Sequence, residues 1–147
     1  MCNGDSIPDD THPKYLGVIL DCTLSYSAHI QSTAAKVCAR NNLLRRLAES
    51  SWGADFQILR TSALALAYTP AEDCAPVGCR RSHTSKVDVA LNKCMRLVSG
   101  CLTSTPVEDL PVVSGIIPPH IRRDHLVLSL ANKAAEKNHM LHSTIIQ

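Results

Sequence analysis

SWGADFQILRTSALALAYTPAEDCAPV, residues Ser51 to Val77, is the stretch that decides the fold. It holds the only Trp of the chain, Trp52, and the only Phe, Phe56. Ile58, Leu59, Ala63, Leu64, Ala65, Leu66, Ala67 and Tyr68 then follow in close succession. Apolar and polar residues do not alternate with period two, and the enrichment in Leu and Ala favours helix over strand. Gln57, Arg60, Thr61 and Ser62 give the early turns a polar strip; beyond them the pattern is apolar on every side. A helix apolar all round is buried, so the expectation is a central core helix. At about 1.5 Å per residue its apolar part is too short to span a bilayer. Pro70 lacks an N–H and clashes with the preceding turn, so it should end or kink this helix.

Working outward toward the N-terminus, His29 to Arg60 is basic, with Lys36, Arg40, Arg45, Arg46 and Arg60 against Glu49 and Asp55. Ser25 or Ser27 is placed to cap a helix from about Ala28 to Glu49. Ile30, Ala34, Val37, Leu44 and Ala48 recur on one of its faces, beside a stripe of His29, Lys36 and Arg40. Such a stripe is either a solvated face or a surface that tracks phosphates, and Arg45 and Arg46 extend its positive field. Before it, KYLGVILD (Lys14–Asp21) suits a short strand, and no segment nearby is a good partner for it. Residues 1–12 read as an acidic, flexible lead-in. They lack the basic and apolar regions of a signal peptide, so the chain is expected inside the cell, in cytoplasm or nucleus.

Toward the C-terminus, CAPVGCRRSHT is a loop. A helix then runs from Thr84 or Ser85 to about Ser99, with Val87, Leu91, Cys94 and Val98 inward and Gly100 as its left-handed cap. TPVE (Thr105–Glu108) reads as a short capping box. The last helix spans about Pro119 to Lys137, with Ile121, Leu126, Leu130 and Ala134 on its inner face. The fold class is therefore mainly α: a short N-terminal strand followed by a small helical bundle. Its parts are a leader (1–12), a strand segment (13–24), a bundle (25–101), and a capping-box helix with a C-terminal helix (102–147).

The chain has 147 residues, 15 Lys+Arg against 13 Asp+Glu, and a net charge of +2, too small an excess to announce nucleic-acid binding by itself. Seven Cys at irregular spacing fit reduced thiols better than a disulfide framework. Cys74, Cys79, His83 and Cys94 lack the tight C-x2-C knuckle of structural zinc sites, and Cys94 belongs to an apolar helix face. No metal site is expected. The carboxylate pairs Asp9–Asp10, Glu72–Asp73 and Glu108–Asp109 lie in a leader, after a helix breaker and in a capping box. None sits on the rigid backbone that a two-metal site needs, so no catalytic residue is assigned. From the residues alone, this is a helical module without an active site.

KYLGVILD, LLRRLAESSWGADFQILRTSALALAY, AEDCAPV, SHTSKVD, LNKCMRLVSGCL, TPVEDLPVVSGI and PPHIRR occur in one order, from Pro13 nearly to the end. This series resembles the region just after the catalytic palm in reverse transcriptases of non-LTR (LINE-type, jockey-like) retrotransposons. The resemblance implies an RNA-directed DNA polymerase fragment. Tyr15, Leu16 and Gly17 would lie at the palm–thumb junction, the helices would form a thumb, and the segment near LANKAAEKNHMLHS a linker. Lys36, Arg40, Arg45 and Arg46 would then lie near a template–primer duplex of RNA and DNA. The family's Mg²⁺-binding carboxylates belong to an aspartate-pair motif upstream of YLGV, which no residue here matches. The resemblance thus implies weak nucleic-acid binding without polymerase activity, and no cofactor in this chain. Other readings are a helical protein-interaction module, associating through exposed apolar surface, and a translated remnant without function. Three departures from the family, Pro70 in a continuous helix, Asp73 for an aromatic and Gly78 for Trp, imply a marginal, poorly packed segment.

Overall fold

Tyr15 and Val18 face each other across the two residues that separate them. Lys14–Tyr15 (β1) and Val18–Ile19 (β2) pair antiparallel, with Lys14 opposite Ile19. The structure, a computed structural model, describes residues 10–49, 53–73, 75–78 and 82–136; most of the acidic lead-in, Trp52, Cys74, Cys79 and the chain after Glu136 lie outside them. Leu16 (φ 47°) and Gly17 (φ 87°) both take left-handed conformations, as the tightest hairpin turns demand. The single unpartnered strand expected over Lys14–Asp21 is thus corrected: the chain folds back and supplies its own partner. The Leu20 N–H donates to the Pro13 carbonyl at 2.9 Å and closes the base of the hairpin.

The next turn is built on Asp21. Its carboxylate accepts the Tyr26 N–H at 3.2 Å, the Thr23 hydroxyl at 3.0 Å and the Ser25 hydroxyl. The Ser25 hydroxyl bond leads the interactions that hold the carboxyl down to about 2. Helix α1 (Ser27–Leu47) starts after Tyr26, which sits at the N-cap in a left-handed conformation without capping through its side chain. Neither Ser25 nor Ser27 is the N-cap residue, although the Ser25 hydroxyl does accept the Ser27 N–H at 3.3 Å. At the far end of α1 the chain turns so sharply that a Cβ on Gly53 would collide with the Glu49 carbonyl. Glycine is required there.

Helix α2 (Phe56–Ala63) begins where the Asp55 side chain accepts the Gln57 N–H at 3.3 Å. It runs without a break into a π-helical turn (Leu64–Tyr68) and then α3 (Thr69–Glu72). In an α-helix the Pro70 ring would press on the Leu66 carbonyl and leave it without a donor. The π turn inserts an extra residue just before the proline, and the Thr69 N–H bonds the Leu64 carbonyl five residues back. The helix therefore neither ends nor breaks at Pro70; it widens ahead of it. Asp73 is exposed, so its charge meets water rather than the core, and two of the three grounds for a badly packed segment fall away.

A one-turn helix α4 (Ala75–Gly78) and a 3₁₀ turn (Ser82–Thr84) lead into α5 (Ser85–Ser99). Val87, Ala90, Leu91, Cys94, Met95 and Val98 are all buried along one face of α5, the set that helical spacing requires. Gly100 (φ 66°) caps it in the left-handed conformation. Ile30, Val37 and Leu44 of α1 share one core with these residues and with Ala63, Ala67 and Tyr68. The centre of the bundle is thus α5, paired with α1. The stretch expected at the centre instead lies against them, with Ile58 57% exposed and Phe56 37% exposed.

Two further elements complete the fold. The helix expected to open at Thr105–Glu108 begins later, as α6 (Leu110–Ser114), with turns before it. The Thr105 carbonyl is held by Arg96 instead of opening a helix. Leu110 and Ile116 belong to the same core as α1 and α5. The final helix α7 (Pro119–Ala135) buries only Pro119 and Ala134; Ile121 and Leu130, expected inward, are exposed. Polar clamps hold α7 in place. Arg122 forks onto Glu72 of α3 and stacks over the Tyr68 ring at 5.3 Å. Arg123 meets Asp88 of α5 through two bonds of 2.7 and 3.1 Å. Among the described residues no helix is long and apolar enough to cross a membrane.

Candidate nucleic-acid interface

The four basic residues singled out on α1 share a helix but not a face. Lys36 and Arg40 are one turn apart, whereas Arg45 lies about half a turn around the axis from Lys36 and Arg46 projects between. All four side chains are exposed. No described carboxylate forms an ion pair with any of them. Lys36 borders a small polar cleft beneath the hairpin, shared with Lys14, His29, Thr33 and Asp73. Arg45 borders a different and larger cleft, facing Lys93 and Arg96 of α5. The positive field of α1 is therefore spread around the helix.

His29 does not belong to the basic stripe. It is buried at 7% exposure, where its Nδ1 accepts the Ile19 N–H at 3.4 Å and ties the hairpin to α1. Burial, and then the nearby Lys36 charge, lower its pKa below the usual 6.5, so the ring is held neutral. Tyr15 and Leu16 stand out from the bundle at the hairpin tip, 67% and 86% exposed, beside the Gly17 turn. Such a projection with two large side chains is suited to packing against another body.

The residues weighed as metal ligands do not gather. Cys94 is fully buried in the core, and burial pushes its thiol up to about 12; His83 sits on the 3₁₀ turn, and Cys74 and Cys79 lie outside the described residues. Glu72 is engaged by Arg122, Asp73 is exposed, and Glu108 and Asp109 are exposed on turns. Among the described residues no three His, Cys, Asp or Glu side chains come together to hold a metal ion.

Lys93 and Arg96 escaped a reading of local pattern. They lie three residues apart on α5, and nothing in that spacing distinguishes them from an ordinary solvated edge. Their relation to Arg45 exists only because α1 and α5 pack together, with about fifty residues of chain between. The only sequence signal for it is the apolar period of each helix, which fixes what the two present to each other and hence which side chains flank the seam. No family model, curated protein or solved structure matches this chain.

Proposed function

We propose that this chain is a thumb-region module of a non-LTR retrotransposon reverse transcriptase, which contacts the template–primer duplex weakly and does not polymerise as these 147 residues. The sequence support is the ordered series of motifs from KYLGVILD to PPHIRR. The observation that carries the nucleic-acid contact is the exposed set Lys36, Arg40, Arg45 and Arg46 spread around one long helix, none of them paired with a described carboxylate. These side chains offer charge without base-reading geometry, so binding is blind to sequence. Its setting is intracellular, cytoplasmic or nuclear, in keeping with free thiols at Cys22, Cys38, Cys94 and Cys101.

Binding of the purified chain to an RNA–DNA hybrid duplex tests this reading. Neutralising about three phosphates gives a log–log salt slope near −2 to −3, with affinity largely lost by physiological salt. Flat salt dependence, or binding unchanged when the four residues become Ala, would contradict it. Primer extension with Mg²⁺ is expected to be absent, because nucleotidyl transfer needs paired carboxylates on rigid backbone.

A second reading is a helical protein-interaction module. Its support is the exposed apolar set Ile117, Ile121, Leu128 and Leu130 on and before α7. A stoichiometric protein partner bound equally well at low and high salt would favour it.

A further inference from the structure

Helices α1 and α5 part along their C-terminal halves, leaving a cleft of about 370 Å³. Arg45, Lys93 and Arg96 line it, and no acidic residue does. None of the three has an ion pair with a described carboxylate. Arg96 is fixed in place, since its Nη2 donates to the Thr105 carbonyl at 2.9 Å. Leu97, with Cys38 and Cys101, gives the cleft an apolar wall, while Asn42 and Thr103 add polar atoms at its sides.

Two buried atoms at this wall lack partners among the described residues: Asn41 Oδ1 and Arg96 Nε. Asn41 is 6% exposed and its Nδ2 donates to the Ala90 carbonyl at 2.8 Å. Turning that amide over would set oxygen against oxygen, so the oxygen is necessarily the atom left over. Native interiors seldom leave a donor and an acceptor unpaired, and exceptions call for an explanation. Both belong to residues that line the cleft, whose three cations meet no described carboxylate. Anion binding meets the electrostatic need of Arg45, Lys93 and Arg96.

We propose that the α1–α5 cleft binds a phosphate-bearing ligand of mononucleotide size, with the phosphate among Arg45, Lys93 and Arg96 and the body along Leu97 beside Asn41. The volume lies within the range of small-ligand sites, and guanidinium groups suit phosphate by their forked donors. A free nucleotide and a nucleotide unit of a strand share this chemistry. The proposal shares Arg45 with the reading of α1 as a duplex-facing surface and adds Lys93 and Arg96, which play no part in it.

Isothermal titration of the full chain with adenosine 5′-monophosphate, with adenosine and inorganic phosphate as comparators, tests it. One-to-one saturable binding of the monophosphate is expected, tighter than either comparator. Arg45→Gln and Lys93→Gln, both at exposed positions, should each weaken it roughly tenfold or more by removing a charged hydrogen bond. Lys36→Gln and Arg46→Gln, away from the cleft, should leave it unchanged. Absence of saturable binding overturns the proposal. So does equal weakening by all four variants, which would mean diffuse attraction, or inorganic phosphate binding as tightly as the nucleotide. Displacement of the monophosphate by a short single-stranded oligonucleotide assigns the site to a strand, and failure to displace assigns it to a free nucleotide; either result upholds the cleft as a nucleotide site. Duplex binding lost in Lys36→Gln and Arg46→Gln, with monophosphate binding intact, separates the two readings.

Discussion

Helices α5 and α7 are nearly equal in length, 15 and 17 residues, yet they are held by different physics. Six residues of α5 are buried, all apolar or Cys. Only Pro119 and Ala134 of α7 are buried, and α7 depends on Arg122 with Glu72 and Arg123 with Asp88. Apolar burial is indifferent to salt, whereas partly exposed ion pairs weaken with it. One small bundle thus joins a helix fixed by hydrophobic burial to another fixed largely by charge.

The largest expected effect tests the burial side directly. Leu91→Ala on α5, where the side chain is 3% exposed, should cost about 2–5 kcal/mol. Leu128→Ala on α7, at 62% exposure, should stay within about 0.5 kcal/mol. Urea unfolding of the two variants measures the contrast. Equal losses would show that α7 is packed as deeply as α5, and the distinction would collapse.

A middle-sized effect tests the charge side. Arg123→Ala should cost about 1–2 kcal/mol, less than a fully buried pair because Asp88 keeps 30% of its side-chain exposure. Arg122→Ala removes a pair and a cation–ring contact together and should cost about as much. Raising the salt should speed amide exchange in α7 and leave α5 protected. If exchange in both helices responds alike, the clamps do not hold α7 separately.

How much of this was legible in the sequence differs between the same elements. Val87, Leu91, Cys94 and Val98 repeat at helical spacing and all are buried, because a helix packed on one side writes its burial into its period. Gly100 was equally legible, since a left-handed cap excludes most other residues. The central role given to residues 51–77 was misleading: composition records how apolar a helix is, not which of its sides finds a partner. Ile121 and Leu130 failed for that reason too. The hairpin was hidden because Leu16, a residue that seldom takes positive φ, occupies a turn position where Asn or Asp is the usual signal. The cleft beside Arg45 was invisible, because it is a property of two helices and belongs to neither alone.

Pro70 lies between these extremes. A proline in an exposed α-helix interior costs about 3 kcal/mol relative to Ala, but here the π turn already displaces the carbonyl it would strike. Pro70→Ala should therefore change stability by less than about 1 kcal/mol. A gain approaching the full proline penalty in thermal unfolding would show that the π turn does not accommodate the ring.

The smallest effect concerns the hairpin, which a hydrogen bond between the Ile19 N–H and His29 Nδ1 ties to α1. Burial first, and the Lys36 charge second, lower the His29 pKa in the folded chain below 6.5. The unfolded chain therefore takes up the proton first as pH falls. The stability that neutral His29 contributes is full above 6.5 and declines as pH drops through the window beneath it. Protonation would turn Nδ1 from an acceptor into a donor facing a donor and release Ile19. Lys14, Lys36 and Asp73 line the cleft on one side of His29, and Arg123, itself paired with Asp88, lines the cleft on another; of these charges Lys36 is the one that acts on the ring. Exchange of the Ile19 amide, corrected for its intrinsic pH dependence, should become relatively faster as pH falls below 6.5. His29→Phe, which has no acceptor and does not titrate, should start with a less protected Ile19 and show no such change. Protection that stays level in the unmodified chain, or falls equally in the variant, would mean that the hairpin is held by something other than this histidine.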